Sequence, residues 1–289
     1  MGRLLTWTDA QTFLAVAEHR SFSAAAAELG VGQPTISRRI RDIEQKLGQQ
    51  LFERGRHGAV ATAAAGRLLP AALQMAKWAT EFDHLAQGNE AVAEGTVCIA
   101  APPGIAVEKL APFAAQLKRS NPSIRLEITA SVDYLDLTRG QADIAIRIQA
   151  PTEPGLVAVH QGSYQPAVFG APSYVEQLPA PVEWRELDWV TWSEQYRDVA
   201  PRPMLEKLIP GFVPIFTSDD FLVLRAAVAA GVGAFITGRA IGEPYPDLVE
   251  IDLGVELPGS TFYVVCAKSM QHVPRVRVVI ERLAALLDD

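Results

Sequence analysis

The sequence predicts a small helical domain, a long helix and a larger α/β domain with two lobes. Three observations carry this. The chain has 289 residues, more than one compact domain usually holds. Its first ninety residues show helical apolar spacing broken by Gly, Pro and Ser. From residue 95 onward, short apolar strands alternate with helices. Hydrophobic residues make up 49% of the chain, enough for real cores.

Net charge is −7, and its distribution says more than its sum. Residues 1–60 carry eight Arg and Lys against six Asp and Glu, whereas residues 91–289 carry 16 against 24. The acidic excess lies in the larger part, leaving any polyanion to a local basic patch. An ordinary acidic domain is the alternative, so charge permits a nucleic-acid partner without demanding one. Cys98 and Cys266 stand far apart with no metal-ligand spacing, which fits a reducing compartment. The opening MGRLLTWTDAQTF has no secretory-signal pattern, and no apolar run is long enough to span a bilayer. A cytoplasmic location without membrane attachment is expected.

Residues 8–18 read as a first helix, with Thr8 as N-cap and Thr6 competing for that place. Ser23 is expected to cap a short helix from Ala24 to near Gly30. Gly32 and Gln33 make a turn, and Pro34 suits the first position of a third helix. There Ile36, Ile40, Ile43 and Leu47 form one apolar stripe. Thr35, Ser37, Arg38, Arg39 and Arg41 occupy the other face. Two helices joined by a tight turn, the second offering hydroxyls and guanidinium groups near its start, is the helix-turn-helix layout. Arg can grip guanine edges, and Ser, Thr and Gln can reach bases or phosphates. A solvated face of a helical bundle is the competing reading. Arg54, Arg56 and His57 then fall in a Gly-containing loop before a short strand at Ala59 to Thr62. That describes a wing with a basic tip, or else a plain surface turn.

Residues 64–88 form a helix with a broad apolar surface that includes Leu69, Leu73, Met75 and Phe82. Pro70 lies near its start or kinks it. A second copy of the chain would cover that surface. Residues 88–95 make a short linker.

The run from Ser21 to Arg54 resembles the N-terminal signature of the LysR-type transcriptional regulators. The matching residues are Ser21-Phe22, Ala25-Ala26, Val31, Gln33-Pro34, Ser37-Arg38, Ile43-Glu44, Leu47-Gly48, Leu51-Phe52 and Arg54. One departure follows: Ala61-Thr62-Ala63-Ala64-Ala65-Gly66 holds one residue more than the family's pattern at the wing end. The resemblance implies a sequence-specific regulator controlled by a small organic effector. Its expected partners are double-stranded operator DNA, a second copy as homodimer or homotetramer, and RNA polymerase. It further implies a winged helix-turn-helix over 1–62, a linker helix and hinge over 63–91, and an effector domain over 92–289. Ser23, Gln33, Pro34, Thr35, Ser37, Arg38, Arg39, Arg54 and Arg56 are its expected DNA-contacting residues.

The body reads as strands at 97–100, 124–132 and 142–149 separated by helices, which implies a mainly parallel sheet. A second strand-helix series follows, and PRVRVVIERLAALLD closes the chain as a helix. Here the resemblance extends to effector domains of the type 2 periplasmic-binding-protein fold. Lobe I is expected at about 92–162 and 267–289, and lobe II at about 163–266. LTRGQADIAIR, AAVAAGVGAFI and PRVRVVIERL match the family's markers in order. Ala101, Pro102, Pro103, Gly104, Ser131, Thr191, Trp192, Thr217 and Ser218 resemble its ligand positions. Phe216 and Arg147 are further candidates from their chemistry. A cap is the alternative role for Ser131, a core aromatic for Trp192, and a surface ion pair for Arg147. Pro102 and Pro103 bring no side-chain donor and lack N–H groups, which favours an effector less ionic than a simple dicarboxylate.

A solute-binding protein with an unrelated helical extension is the runner-up, disfavoured by the basic helix-turn-helix pattern. An enzyme is not expected. The chain has no Gly-rich phosphate loop, H-E-x-x-H or G-x-S-x-G motif, and His19, His57, His84, His160 and His272 are scattered. No cofactor is called for.

Overall fold

The structure is a computed structural model that describes residues 5–55, 58–86, 93–242 and 245–288. Two compact units emerge: Met1–Val92 with Thr138–Gln141, and Ala93–Leu137 with Ala142–Asp289.

The first unit opens with α1 (Trp7–His19), α2 (Phe22–Glu28) and α3 (Gln33–Leu47). Thr6 caps α1: its hydroxyl accepts from the Asp9 N–H at 3.2 Å, and the Asp9 carboxylate accepts from the Thr6 N–H at 2.9 Å. Thr6 therefore holds the cap, not Thr8, because only residue 6 has a carboxylate three positions on to complete the reciprocal pair. Ser21, not Ser23, caps α2, accepting from the Ala24 N–H at 3.3 Å. Starting there lets Phe22 meet the edge of the Phe52 ring at 6.3 Å. Gly32 is the N-cap of α3, so Gln33 is already helical and Pro34 follows it.

Ile36, Ile40 and Ile43 are buried against Phe13, Val16, Ala25 and Ala26. The Glu44 carboxylate accepts from the Leu51 and Phe52 N–H groups at 2.7 and 3.1 Å, aiming the chain into a hairpin. That hairpin pairs β1 (Phe52–Gly55) with β2 (Gly58–Ala61), antiparallel, with Phe52 opposite Ala61. Thr62 leaves the strand and caps α4 (Ala63–Ala86), its hydroxyl accepting from the Ala65 N–H at 3.3 Å. Pro70 sits inside this 24-residue helix, not at its start.

In the second unit, lobe I is built on β3 (Gly95–Ala101). From its end run a one-turn helix α5 (Pro103–Ile105), a π-helical turn at Ala106–Leu110 and α6 (Ala111–Ser120). Next come β4 (Ile124–Ala130), β5 (Ile144–Arg147) and β6 (Leu156–Tyr164). Asp143, almost fully buried, accepts from the Cys98 N–H at 2.8 Å and so fixes where β5 joins β3.

Lobe II holds β7 (Pro166–Gly170), α7 (Pro172–Val175), β8 (Val190–Trp192) and α8 (Arg202–Leu208). It continues through β9 (Phe216–Ser218), α9 (Phe221–Ala229), β10 (Ala234–Gly238), α10 (Arg239–Gly242) and β11 (Val249–Glu250). The chain then returns through β12 (Ser260–Ala267) and ends in α11 (Pro274–Asp288).

The lobe I sheet has the order β4-β3-β5-β12-β6. It is mixed, not mainly parallel, because β12 runs antiparallel to both β5 and β6. Strand β12 also moves the return to lobe I: residues 260–267 belong to the first sheet, whereas the sequence predicts 163–266 as lobe II. Strand β6 does not stand out in the sequence, its His160, Gln161 and Ser163 masking the apolar alternation. Lobe II pairs β10-β7-β11 antiparallel and β8-β9 parallel. Its sheet has one apolar cluster around Phe169, Phe221 and Phe235 and another around Trp189, Leu205 and Ile251.

Candidate DNA-reading helix and effector cleft

In the first unit, the buried stripe of α3 fixes which residues face outward. Gln33, Pro34 and Arg38 are exposed, while Thr35, Ser37 and Arg39 are half-buried. Arg41 is exposed and turns its Nε back to the Ser37 carbonyl at 3.2 Å. Among the described residues, neither Arg38 nor Arg39 has an ion-pair partner, so their charge remains available to an anion. Lys46, further along α3, is spent on Asp9 at 2.8 Å, which ties α3 to α1. Gly32 supplies no side-chain acceptor, leaving the start of α3 open to phosphate.

Ser23 is exposed at the second position of α2. Arg54 lies in β1 opposite Ala59, and its side chain is outside the described part. Arg56 and His57 lie outside the described residues. The hairpin is anchored toward its turn end, where Ala59, paired with Arg54, donates its N–H to the Arg20 carbonyl at 2.7 Å.

In the second unit, the effector candidates fall at the ends of strands in both lobes. Ala101 ends β3 and is buried, with its carbonyl accepting from the Ser131 N–H at 3.0 Å. Pro102 and Pro103 start α5. Gly104 is packed against lobe II: a Cβ there would lie 3.2 Å from Phe221 Cζ and 3.3 Å from Ile241 Cγ2. The Ser131 hydroxyl is engaged with Asp133, accepting its N–H at 3.0 Å, so it does the work of a turn cap. Arg147 is 3% exposed. It donates to Glu153 at 3.0 Å and to the Leu135 carbonyl at 2.8 Å, beneath the Tyr134 ring at 4.8 Å. Its Nε is buried with no hydrogen-bond partner. The Glu153 carboxyl is held below its ordinary range by its own backbone N–H and by Arg147.

Thr191 is 2% exposed and its hydroxyl has no hydrogen-bond partner. Trp189 and Val190 lie in opposite clusters of lobe II, so strand alternation places Thr191 on the Trp189 side, with Leu205 of α8. Trp192 turns the other way, donates Nε1–H to the Ala200 carbonyl at 3.2 Å and meets Tyr196 edge-on. Phe216 packs against the Phe221 cluster, and Thr217 is exposed. The Ser218 hydroxyl accepts from the Asp220 N–H at 3.1 Å. Helix α9 starts beside these residues, and the Asp220 carboxylate already caps it, accepting from the Leu222 and Val223 N–H groups at 2.7 and 3.2 Å. The anion-binding capacity expected of that helix start is therefore filled from within.

Two contacts between lobes escaped sequence reading. The Tyr196 hydroxyl donates to the Asp133 carboxylate at 3.3 Å, and the Tyr245 hydroxyl donates to Glu108. Burial and then Glu108 itself push the Tyr245 phenol upward, keeping it a protonated donor. No local pattern marks such pairs. Among the described residues, no cluster of His, Cys, Asp and Glu could hold a metal ion, and no helix is long and apolar enough to cross a membrane.

Both units match family models. Residues 7–67 match the bacterial regulatory helix-turn-helix protein, lysR family, and residues 90–288 match the LysR substrate binding domain. The chain belongs to the LysR family. It is thus a DNA-binding transcriptional regulator and not an enzyme. Among relatives of this regulator, an HTH-type transcriptional regulator of Xanthomonas campestris pv. campestris is 26% identical, covering 97% of this chain and 85% of that protein. PtxR of Pseudomonas aeruginosa is 27% identical, covering 94% and 89%. A full-length OxyR variant from Pseudomonas aeruginosa shares the LysR fold with TM-score 0.70 and 20% identity, covering 99% of this chain and 95% of that one. CrgA of Neisseria meningitidis does so with TM-score 0.60 and 21% identity, covering 99% and 100%.

Proposed function

We propose that this LysR regulator reads a double-stranded operator through the start of α3 and answers to one small organic effector bound between the lobes of 92–289. The observation that carries the reading is α3 itself. Its isoleucine stripe is buried, and Arg38 and Arg39 are left on the outer face without ion-pair partners among the described residues. Gln33, Pro34, Thr35, Ser37, Arg38 and Arg39 are its reading surface, with Ser23, Arg54 and Arg56 as supporting contacts. A solved relative, full-length CbnR, is described as complexed with its target DNA and shares the fold at TM-score 0.61, which supports the assignment. Residues 1–62 are the DNA-binding part and 63–91 the linker helix and hinge. The regulator acts in the cytoplasm as a homodimer or homotetramer and communicates with RNA polymerase.

The effector is small, organic and not a simple dicarboxylate. Support comes from the capped start of α9, the two prolines at Pro102 and Pro103, and the internal pairing of Arg147. Its contacts are drawn from Ala101 to Gly104, Ser131, Arg147, Thr191, Trp192, Phe216, Thr217 and Ser218. Footprinting the full-length protein on the DNA upstream of its own gene tests the reading. A protected site is expected. No protection at low salt, with and without pathway metabolites, would overturn it.

A further inference from the structure

We propose that the hydrogen bond from Tyr245 to Glu108 is an interlobe latch that holds the effector cleft shut and must open to admit a ligand. The inference rests on the cleft reading above and adds its regulation.

The two partners stand 137 residues apart and on different lobes. Glu108 lies on the π-helical turn at Ala106–Leu110, between α5 and α6 of lobe I. Such a turn inserts one extra residue into a helix and re-aims its side chains, and it is uncommon outside functional places. Here it interrupts the helical run at the carboxylate that reaches lobe II. Tyr245 is positioned from its own side. The Arg225 guanidinium lies 4.3 Å over its ring, and Arg225 is itself paired with Asp247 at 3.3 Å. A phenol held between a cation on its face and a carboxylate at its hydroxyl has one defined orientation.

The latch closes over a seam that packing already brings together. Gly104 approaches the Phe221 and Ile241 side chains, and Ile105 joins the lobe II cluster. The second tie, Tyr196 to Asp133, is longer and exposed, so it is the weaker of the two. The lobes are otherwise joined by two crossings, after β6 and before β12. There the Gln165 side chain donates to the Leu257 carbonyl at 2.5 Å, fastening the crossings to each other. A fastened hinge with a polar latch across the seam opens by breaking the latch, because the hinge strands stay paired.

Hydrogen–deuterium exchange of the full-length protein tests this without any ligand. Tyr245→Phe removes the donor hydroxyl, and Glu108→Ala removes the acceptor carboxylate with its charge. Each is expected to speed exchange roughly fivefold to tenfold in peptides covering 103–110 and 221–229, the effect of one lost hydrogen bond on a local opening. Rates in β3 and β7, inside the lobes, are expected to stay unchanged. The double variant is expected to match the single ones, since both remove one contact. Unchanged rates at the seam, additive effects of the two substitutions, or uniform acceleration across both lobes would each overturn the latch. Failure of the cleft reading would show separately, as a wild-type protein whose seam no metabolite protects.

Discussion

Arg38 and Arg147 carry the same side chain in opposite circumstances. Arg38 stands exposed on α3 without an ion-pair partner among the described residues. Arg38→Ala is expected to cost about 1–3 kcal/mol of operator affinity, the worth of one bidentate arginine–guanine contact. Titrating operator and random duplex at one salt concentration checks it, since equal losses on both would place Arg38 on phosphate instead. Arg147 is buried, and Glu153 compensates its charge. Glu153 has its pKa depressed from the ordinary 4.5, so its contribution to stability is present above that value and lost as pH falls through the lower folded one. Wild type is therefore expected to be more stable than Glu153→Gln at neutral pH, with the gap closing below the ordinary glutamate range. Denaturant melts from neutral to acid pH measure this, and a pH-independent gap would count against the pairing.

At the scale of elements, the wing hairpin depends on the end of α1. Arg20 adopts a left-handed conformation, φ 51°, and its carbonyl receives the Ala59 N–H. Gly58 beside it has φ 128°, and a Cβ there would stand 2.2 Å from that carbonyl oxygen. The carbonyl is backbone and cannot swing aside. Gly58→Ala is expected to cost about 2 kcal/mol or more and to loosen the wing, read as a lower melting temperature and weaker binding to any duplex. Ile36→Ala, at 0% exposure in the same unit, is expected to cost about 2–5 kcal/mol. The existence of these helices was legible in the sequence, because an isoleucine stripe and a Gly-Gln-Pro turn are local signals. Their caps were less so. Thr6 and Ser21 prevailed over Thr8 and Ser23 through a partner carboxylate and through the packing of Phe22, which spacing alone does not show.

At the scale of the whole molecule, α4 is the surface we propose for assembly. Its inner stripe is used at home: Ala65, Leu68, Leu69 and Ala72 pack on the core of the first unit. Met75 and Phe82 lie two helical turns apart on one outer face, 40% and 71% exposed. Met75→Glu with Phe82→Glu is therefore expected to dissociate the oligomer while leaving the winged domain folded. Of Leu69 and Leu73, both on the apolar surface that the sequence shows, Leu73 is 49% exposed, whereas Leu69 packs on the core, so Leu69→Glu would instead damage that domain. Size-exclusion with light scattering at micromolar concentration distinguishes them, and an undiminished mass for the Met75/Phe82 variant would remove α4 from the interface.

The sequence by itself determined the helix-turn-helix, the outward face of its second helix and the α/β nature of the body. Those features rest on residues a few positions apart, where helix and strand periods tie neighbours to a common face. Only the tertiary structure decided where β12 belongs, since a strand of that composition could close either sheet and its partners lie about a hundred residues away. It also decided which candidates around the cleft are already occupied. Ser131 is turned onto Asp133, Arg147 onto Glu153 and Leu135, and the start of α9 onto Asp220. Hydrogen-bond partners of this kind are chosen by proximity in space, and the separation of 137 positions from Glu108 to Tyr245 carries no periodicity from which that proximity could be read.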